Sequence, residues 1–275
     1  GTASATNGFN TTTAATNGIL GGYATANAGA GWLVSNATGS AVLAGETALL
    51  ATGSVGTTNY ALTANLTTTA TQSAHAVRVA PAAATTLTIG TGFTQTIASG
   101  GLLVTGTNAV TVAGGGTGSA LTAGVVNTAG SLFLHQYNTN SAGLVVSANI
   151  VNNGTGALTV VKSGPGAVVL SGANTYTGGL VVNAGEVRLG SAGMGAAANV
   201  VTLNGGTLVA NAGTTAFTLA QLNGLNTATL LLRDTSATPA AATITVGTGN
   251  AANTFLGTLA GNGTLVKSGT AALTL

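Results

Sequence analysis

Short apolar runs separated by Gly, Asn and Ser turns dominate the pattern of this chain. The clearest stretch is 154–209, where runs of three to five mostly β-branched residues alternate with turn residues. Runs of this length and type predict β-strands. Apolar residues recur there at intervals of 20 in two series, namely Val160, Leu180 and Val200, and Val169, Leu189 and Val209. A fixed period of this size predicts a solenoid, in which each coil covers the open face of its neighbour.

The same pattern extends over the whole chain without a change in composition. Short apolar runs continue from 41 to 126 and from 216 to 256, with Gly-rich corners between them. We therefore predict an all-β fold in which 1–275 is a single β-solenoid with a period of about 20 residues per coil. The stretch 154–209 forms its best-defined coils.

The N-terminal stretch 1–35 differs from the rest because large aromatic side chains gather there. Phe9, Tyr23 and Trp32, the only tryptophan, lie between tight-turn dipeptides. A solenoid needs a cap where its first coil would otherwise expose apolar side chains. We predict that 1–35 forms this cap, with a ligand-binding aromatic patch as the alternative.

A second copy of one segment ends the sequence. The segment 161–170, which begins Val-Lys-Ser-Gly-Pro-Gly, reappears as 266–275. At the period above, the two copies are about five coils apart. The stretch 257–275 is thus a partial second copy, in which Lys267 is equivalent to Lys162. A solenoid that stopped here would expose strand edges, so we expect further chain or a second molecule to cover this end.

The charge content is very low and limits the partners. Charged residues make up 3% of the chain, and the net charge is +2, whereas soluble domains contain roughly 25% charged residues. So weak a positive charge argues against nucleic-acid binding, while weak repulsion favours self-association. The sequence contains no Cys and no apolar run long enough to cross a bilayer as a helix. We therefore predict no thiolate chemistry and no membrane insertion of this segment.

Candidate catalytic groups are few. Glu186 and Asp234 are far apart in the sequence, and each lies within two positions of an arginine, Arg188 or Arg233. We interpret both as local charge compensation, since acid–base catalysis needs at least two positioned ionisable groups. His75 and His135 have no acidic residue or second histidine within ten positions, which indicates surface or hydrogen-bonded structural histidines. We predict no catalytic residue, no metal site and no cofactor.

One stretch resembles a known family. The segments 162–166, 170–179 and 182–185 closely resemble the passenger-associated repeat of bacterial autotransporters. The resemblance implies a right-handed parallel β-helix, secreted and displayed on the bacterial outer surface. Right-handed winding also agrees with the crossover preference of parallel strands. The residues that we assign to the structural repeat are Lys162, Ser163, Gly164, Pro165, Gly166, Asn174, Tyr176, Gly178, Gly179, Lys267, Ser268 and Gly269.

Two functions remain open from the sequence. The first is a non-enzymatic structural rod of the cell surface, part of a passenger or an extracellular fibre, whose rods associate end to end or side by side. The second is an adhesin whose Thr/Asn-rich faces bind carbohydrate or another cell, with a polar or aromatic cluster around Tyr137 or Tyr176. Ice binding is disfavoured because the Thr-x-Thr pairs do not recur in each coil.

Overall fold

The fold is a parallel β-helix, as predicted. A computed structural model describes residues 16–17, 19–26, 29–33, 46–190 and 200–275. Among the strands in these ranges, every pairing is parallel except that of one hairpin near the N-terminus, formed by β1 (Thr25–Ala26) and β2 (Gly31–Trp32). The right-handed winding stays a prediction.

Two long sheets run the length of the helix. Sheet 1 has nine strands, stacked in chain order: β3 (Thr47–Ala48), β4 (Asn59–Leu62), β7 (Ala76–Val79), β10 (Gly101–Val104), β13 (Gly130–Gln136), β16 (Leu158–Ser163), β18 (Leu180–Val182), β20 (Val200–Leu203) and β23 (Gln221–Gly224). Sheet 2 also has nine: β5 (Leu66–Thr68), β8 (Thr85–Ile89), β11 (Val110–Gly114), β14 (Leu144–Val146), β17 (Ala167–Leu170), β19 (Glu186–Leu189), β21 (Gly206–Ala210), β24 (Ala228–Asp234) and β27 (Thr258–Ala260).

The third side is made of shorter sheets. The first group is β6 (Gln72–Ala74), β9 (Thr94–Ile97), β12 (Ala120–Ala123) and β15 (Asn149–Ile150), and the second is β22 (Ala216–Leu219), β25 (Thr243–Val246) and β28 (Thr264–Lys267). The last pair is β26 (Asn253–Thr254) and β29 (Leu273–Thr274). A parallel bridge from Phe255 to Gly224 joins this pair to the end of sheet 1.

Alternation along the strands places one row of side chains inside and the next outside. The inward residues form one continuous apolar cluster from Leu49 to Phe255. Threonines stack on the outside, where Thr86 and Thr111 are register partners in sheet 2. One inward row of sheet 1 is apolar except at a single position: Val77, Leu102, Leu134, Lys162, Val182 and Leu203.

The coils differ in length. Val160 pairs with Leu180 one coil later, at the predicted interval, whereas Gly101 pairs with Phe133, so that this coil is longer by more than half. Both predicted series slip by one position, because Leu180 pairs with Val201 rather than Val200, and Val169 pairs with Arg188, which in turn pairs with Val209. Apolar residues occupy both faces of β17 and β21, so periodicity alone left the register open.

The described part of the predicted cap lies along the side of the helix. Residues 16–17, 19–26 and 29–33, which we call the strap, pack against the outer side of sheet 1. There Ile19 and Trp32 are fully buried against Ala76 and Leu103. Phe9 lies outside the described residues, and the capping role stays a prediction.

Candidate functional site

The repeat begins at the corner between β16 and β17, where a lysine points into the core. Lys162 is 1% exposed and occupies the inward position that Leu134 and Val182 fill in the adjacent coils. Its Nζ donates to the carbonyl oxygens of Gly164 at 2.7 Å, Ala184 at 2.9 Å and Ser163 at 3.2 Å. Because Ala184 belongs to the next coil, the ammonium ties two successive corners together.

The protein environment alters the acidity of this lysine. Burial lowers the pKa of Lys162 to about 7, since an ammonium loses its hydration inside the core. Both salt bridges found among the described residues involve arginine, so no carboxylate there pairs with Lys162. Its three hydrogen-bond acceptors are carbonyl oxygens. The three carbonyls can accept from either form of the amine, so the corner keeps hydrogen bonds as the charge changes.

Two glycines give the corner its shape. Gly164 has a φ of 84°, and a Cβ there would lie 2.5 Å from the Gln136 carbonyl oxygen of the coil below. The Gly166 N–H donates to that same oxygen at 2.9 Å, and a Cβ on Gly166 would lie 2.6 Å from the Asn138 carbonyl oxygen. Neither position can hold a side chain. Pro165 lies between them and has no N–H to satisfy.

The outer edge of the corner carries a short ladder of polar side chains. The Ser163 hydroxyl accepts from Asn183 Nδ2 at 3.3 Å, and Asn183 Oδ1 accepts from Asn204 Nδ2 at 2.9 Å. Three coils are thus linked side chain to side chain. These bonds are exposed to water, so each contributes little to stability.

The loop 171–179 takes the place of a third-side strand in this coil. Asn174 Oδ1 accepts from the Ile150 N–H at 2.7 Å, which satisfies the end of β15. Tyr176 is fully buried in the main core and fills the space that strand side chains occupy elsewhere. Burial raises the pKa of its phenol.

Two more glycines close the loop. Gly178 donates its N–H to the Leu158 carbonyl oxygen at 2.9 Å, and Gly179 has a φ of 92°. A Cβ on Gly178 would lie 2.6 Å from the same carbonyl group of Leu158. The loop therefore returns to sheet 1 through backbone that a larger residue would push away.

The second copy repeats the corner but in a different place. Lys267 Nζ donates to the carbonyl oxygens of Ser268 and, at 2.9 Å, Gly269, whose φ is 67°. Lys267 is exposed, however, and its strand β28 lies on the third side, whereas β16 lies in sheet 1. The two copies therefore lie on different sides of the helix, because a longer coil, in which Gly224 pairs with Phe255, lies between them.

Asparagines provide contacts that the sequence analysis missed. In at least six places an Asn Oδ1 accepts a backbone N–H of a neighbouring coil, and the donors pair as Thr86 with Asn65, Thr155 with Asn127, Ala173 with Asn149, Thr177 with Asn152, Thr254 with Asn223 and Thr270 with Asn250. The recurrence of Asn beside the turns was a usable signal. These side chains replace backbone ladder bonds where the strands end.

The predicted charge compensation is right for one carboxylate and wrong for the other. Glu186 pairs with Arg188. Asp234 instead accepts from Ser236 Oγ and from the N–H groups of Gly213 and Ala240. These hydrogen bonds, that of Ser236 first, lower the pKa of Asp234 to about 2.

The third carboxylate forms an ion pair that the sequence analysis did not predict. Glu46 accepts from Arg78 through both of its oxygens. The hydrogen bonds to Glu46 raise the pKa of Arg78, which stays charged. All three carboxylates of the chain are therefore occupied by partners within the protein.

The described surface also contains a polar notch beside the repeat. It has a volume of about 350 Å³, and its walls are the loop 138–141, the corner 165–167 and the side chains of Glu186 and Arg188. Arg188 Nη1 donates to the Ser141 carbonyl oxygen at 3.1 Å across the notch. Of the two tyrosines around which a polar or aromatic cluster was predicted, Tyr176 is buried in the core, whereas Tyr137 directly precedes the notch wall 138–141 and is partly buried against the strap.

Within the described ranges, no group of three or more His, Cys, Asp or Glu side chains could hold a metal ion. The described residues also include no helix with the length and apolarity that a membrane crossing requires.

Comparison with known protein families gives a match, which lies in this same repeat. The family model described as the passenger-associated-transport-repeat matches residues 160–189, from the third residue of β16 to the end of β19. No curated protein and no solved structure matches the chain. The match covers the lysine corner, the Tyr176 loop and the two closing glycines, so these residues carry the likeness to autotransporter passengers.

Proposed function

We propose that this chain is a non-enzymatic structural rod, a segment of a secreted or surface-exposed bacterial autotransporter passenger. The observation that carries the proposal is the pair of nine-stranded parallel ladders around one apolar core, with the family match inside them. Nine strands spaced about 4.8 Å apart give sheet 1 a length of roughly 40 Å. Stacked coils of this kind resist bending because hydrogen bonds join them on several sides.

Several features support a structural rather than a chemical role. The three carboxylates are each engaged, Glu46 with Arg78, Glu186 with Arg188 and Asp234 with backbone N–H groups. A general acid or base must instead be able to reach a substrate proton. The low charge of the chain also favours contact between rods, since like-charge repulsion is weak.

Electron microscopy combined with light scattering tests the rod and its self-association. At neutral pH and low salt we expect filaments or bundles of rods from the purified protein. A Thr86→Lys/Thr111→Lys variant adds two charges to the outer face of sheet 2 and should shift the material toward single rods. Compact spherical particles would contradict the rod, and single rods in both proteins would contradict self-association.

The polar notch supports a second candidate, an adhesin that binds carbohydrate. Its carboxylate, guanidinium and hydroxyl groups can all hydrogen-bond to sugar hydroxyls. Binding to a panel of glycans should fall in Arg188→Ala and stay unchanged in Arg233→Ala, which removes a comparable charge outside the notch. Equal binding by both variants, or none by the wild-type protein, would reject this candidate.

A further inference from the structure

The strap makes an unusually close contact with the outer side of sheet 1. A Cβ on Gly22 would lie 2.2 Å from Gly101 N, and one on Gly101 would lie 2.6 Å from Gly22 Cα. Two glycines therefore allow backbone to meet backbone. Beside them, Ile19 and Trp32 of the strap are fully buried in a small cluster that is separate from the main core.

Both histidines of the chain lie in this contact. His135 is 4% exposed, and its Nε2 lies 2.8 Å from the Gly22 carbonyl oxygen, to which it must donate. His75 is 5% exposed, and its Nδ1 lies 3.1 Å from Asn17 Nδ2 and 3.2 Å from the Gly56 carbonyl oxygen. Each histidine thus links a residue of the strap to the β-helix.

The remaining nitrogen of each ring has no hydrogen-bond partner among the described residues. His135 Nδ1 and His75 Nε2 are both buried. In the same contact, Trp32 Nε1 and Asn59 Oδ1 are also buried without a hydrogen-bond partner among the described residues. A neutral His135 ring tolerates such a nitrogen, because Nδ1 carries a lone pair and no proton while Nε2 donates to Gly22. Protonation would give His135 an N–H at Nδ1 for which the described structure offers no acceptor, and it would remove the Nδ1 lone pair with which His75 accepts from Asn17 Nδ2 of the strap.

The other ionisable groups of the contact do not offset that charge. Lys162 on β16 acts on His135 as a second cation. On β7, Arg78 is held by Glu46. The strap contributes the phenol of Tyr23, near Phe133, and the chain just after β13 contributes the phenol of Tyr137, near Gly29. Among the described residues no carboxylate hydrogen-bonds to either histidine.

We propose that the strap is a pH-sensitive latch, which docks on the outer side of sheet 1 while His75 and His135 are neutral and is released when they are protonated. Release would uncover the apolar outer row around Ala76 and Leu103.

The direction of the effect follows from the two states of each histidine. Burial lowers the pKa of both His75 and His135 below the ordinary 6.5 that they regain when the strap is free. The released state therefore binds protons more tightly than the docked state. Docking is complete above about pH 6.5 and weakens as the pH falls below that value.

The single tryptophan of the chain makes the strap directly observable, because Trp32 is buried through this contact. We would measure its emission wavelength and its accessibility to acrylamide between pH 8 and pH 5. Intensity alone is unsuitable, because the His135 ring lies 6.1 Å from Trp32 and can quench it when charged. Far-UV circular dichroism monitors the β-helix in parallel.

The wild-type protein should show a red shift and a several-fold rise in acrylamide quenching as the pH falls, with unchanged circular dichroism. The His75→Gln/His135→Gln variant, whose amides can still donate but cannot titrate, should keep Trp32 buried throughout. A wild-type Trp32 that stays buried at pH 5, or the same transition in the variant, would overturn the proposal.

If the variant exposes Trp32 at every pH, its strap does not dock, and the proposal is then tested on the wild-type protein alone. Its two histidine ring signals can be titrated by NMR beside the Trp32 indole signal. The three midpoints must coincide, and separate midpoints would equally overturn the proposal.

Discussion

The two copies of the lysine corner have the same local geometry in different surroundings. Lys162 and Lys267 each donate to the carbonyl oxygens of the two residues that follow them. Lys162 additionally reaches Ala184 of the next coil and is buried, while Lys267 is exposed in the last described coil. The corner sequence therefore specifies the turn, and the next coil converts that turn into a contact between coils.

The largest expected effect comes from Tyr176, in the loop that follows the first copy. Tyr176→Ala should lower the free energy of unfolding by about 3–5 kcal/mol, because it removes a fully buried ring from the core. Urea unfolding followed by circular dichroism measures the loss. Tyr23→Ala, which truncates a ring that is 54% exposed, serves as the control. Equal losses in the two variants would contradict the placement of Tyr176.

The comparison itself is tested by replacing each lysine. Lys162→Met should cost about 2 kcal/mol, because it leaves buried carbonyl oxygens without a donor. Lys267→Met should cost less than about 0.5 kcal/mol, since water replaces the ammonium at an exposed corner. Urea unfolding of both variants gives the difference, and similar costs would show that the next coil adds nothing to the corner.

A change of pH sharpens the result for Lys162. Its pKa of about 7 in the folded protein lies below the value of about 10.4 for an unfolded lysine. Between these values the unfolded chain binds more protons, so the stability of the wild-type protein rises with pH. Relative to Lys162→Met, the gain should be about 1 kcal/mol between pH 7 and pH 8. A difference that stays constant or shrinks over this range would contradict it.

The last prediction concerns the contact that holds the second copy to the coil below. Asn250 has a φ of 53°, and its Oδ1 accepts from the Thr270 N–H at 2.7 Å. Asn250→Ala should cost about 1–2 kcal/mol, because it loses the bond and strains a left-handed residue. Asn250→Gly loses the bond alone and should cost less. Thermal unfolding ranks the pair, and the reverse order would exclude backbone strain at this position.

The general architecture was predictable because the apolar runs repeat the geometry of the coil. The inward position of Lys162 was also encoded, since it shares its parity with Leu158 and Val160 in a strand of alternating burial. The residue type alone predicts the opposite position, because a lysine normally lies on the surface. Hydrogen bonds to the corner carbonyls reverse that preference.

Other features depend on contacts that are distant in sequence. The register of β17 to β19 follows from backbone pairing, because apolar residues lie on both sides of β17. The strap joins residues 113 positions apart, as in the bond between Gly22 and His135. No local sequence pattern predicts such a contact. The contact between Gly22 and Gly101 becomes evident only when the strap lies on sheet 1.

The direction of the ladder hydrogen bonds has a mechanical consequence. In both nine-stranded sheets the bonds between coils run along the long axis of the helix. Tension applied along this axis would load one coil boundary at a time, so the coils would peel away in sequence rather than yield together. A short coil, such as the one between Val160 and Leu180, would release roughly 70 Å of extended chain. A rod built this way would lengthen stepwise under tension, one coil at a time.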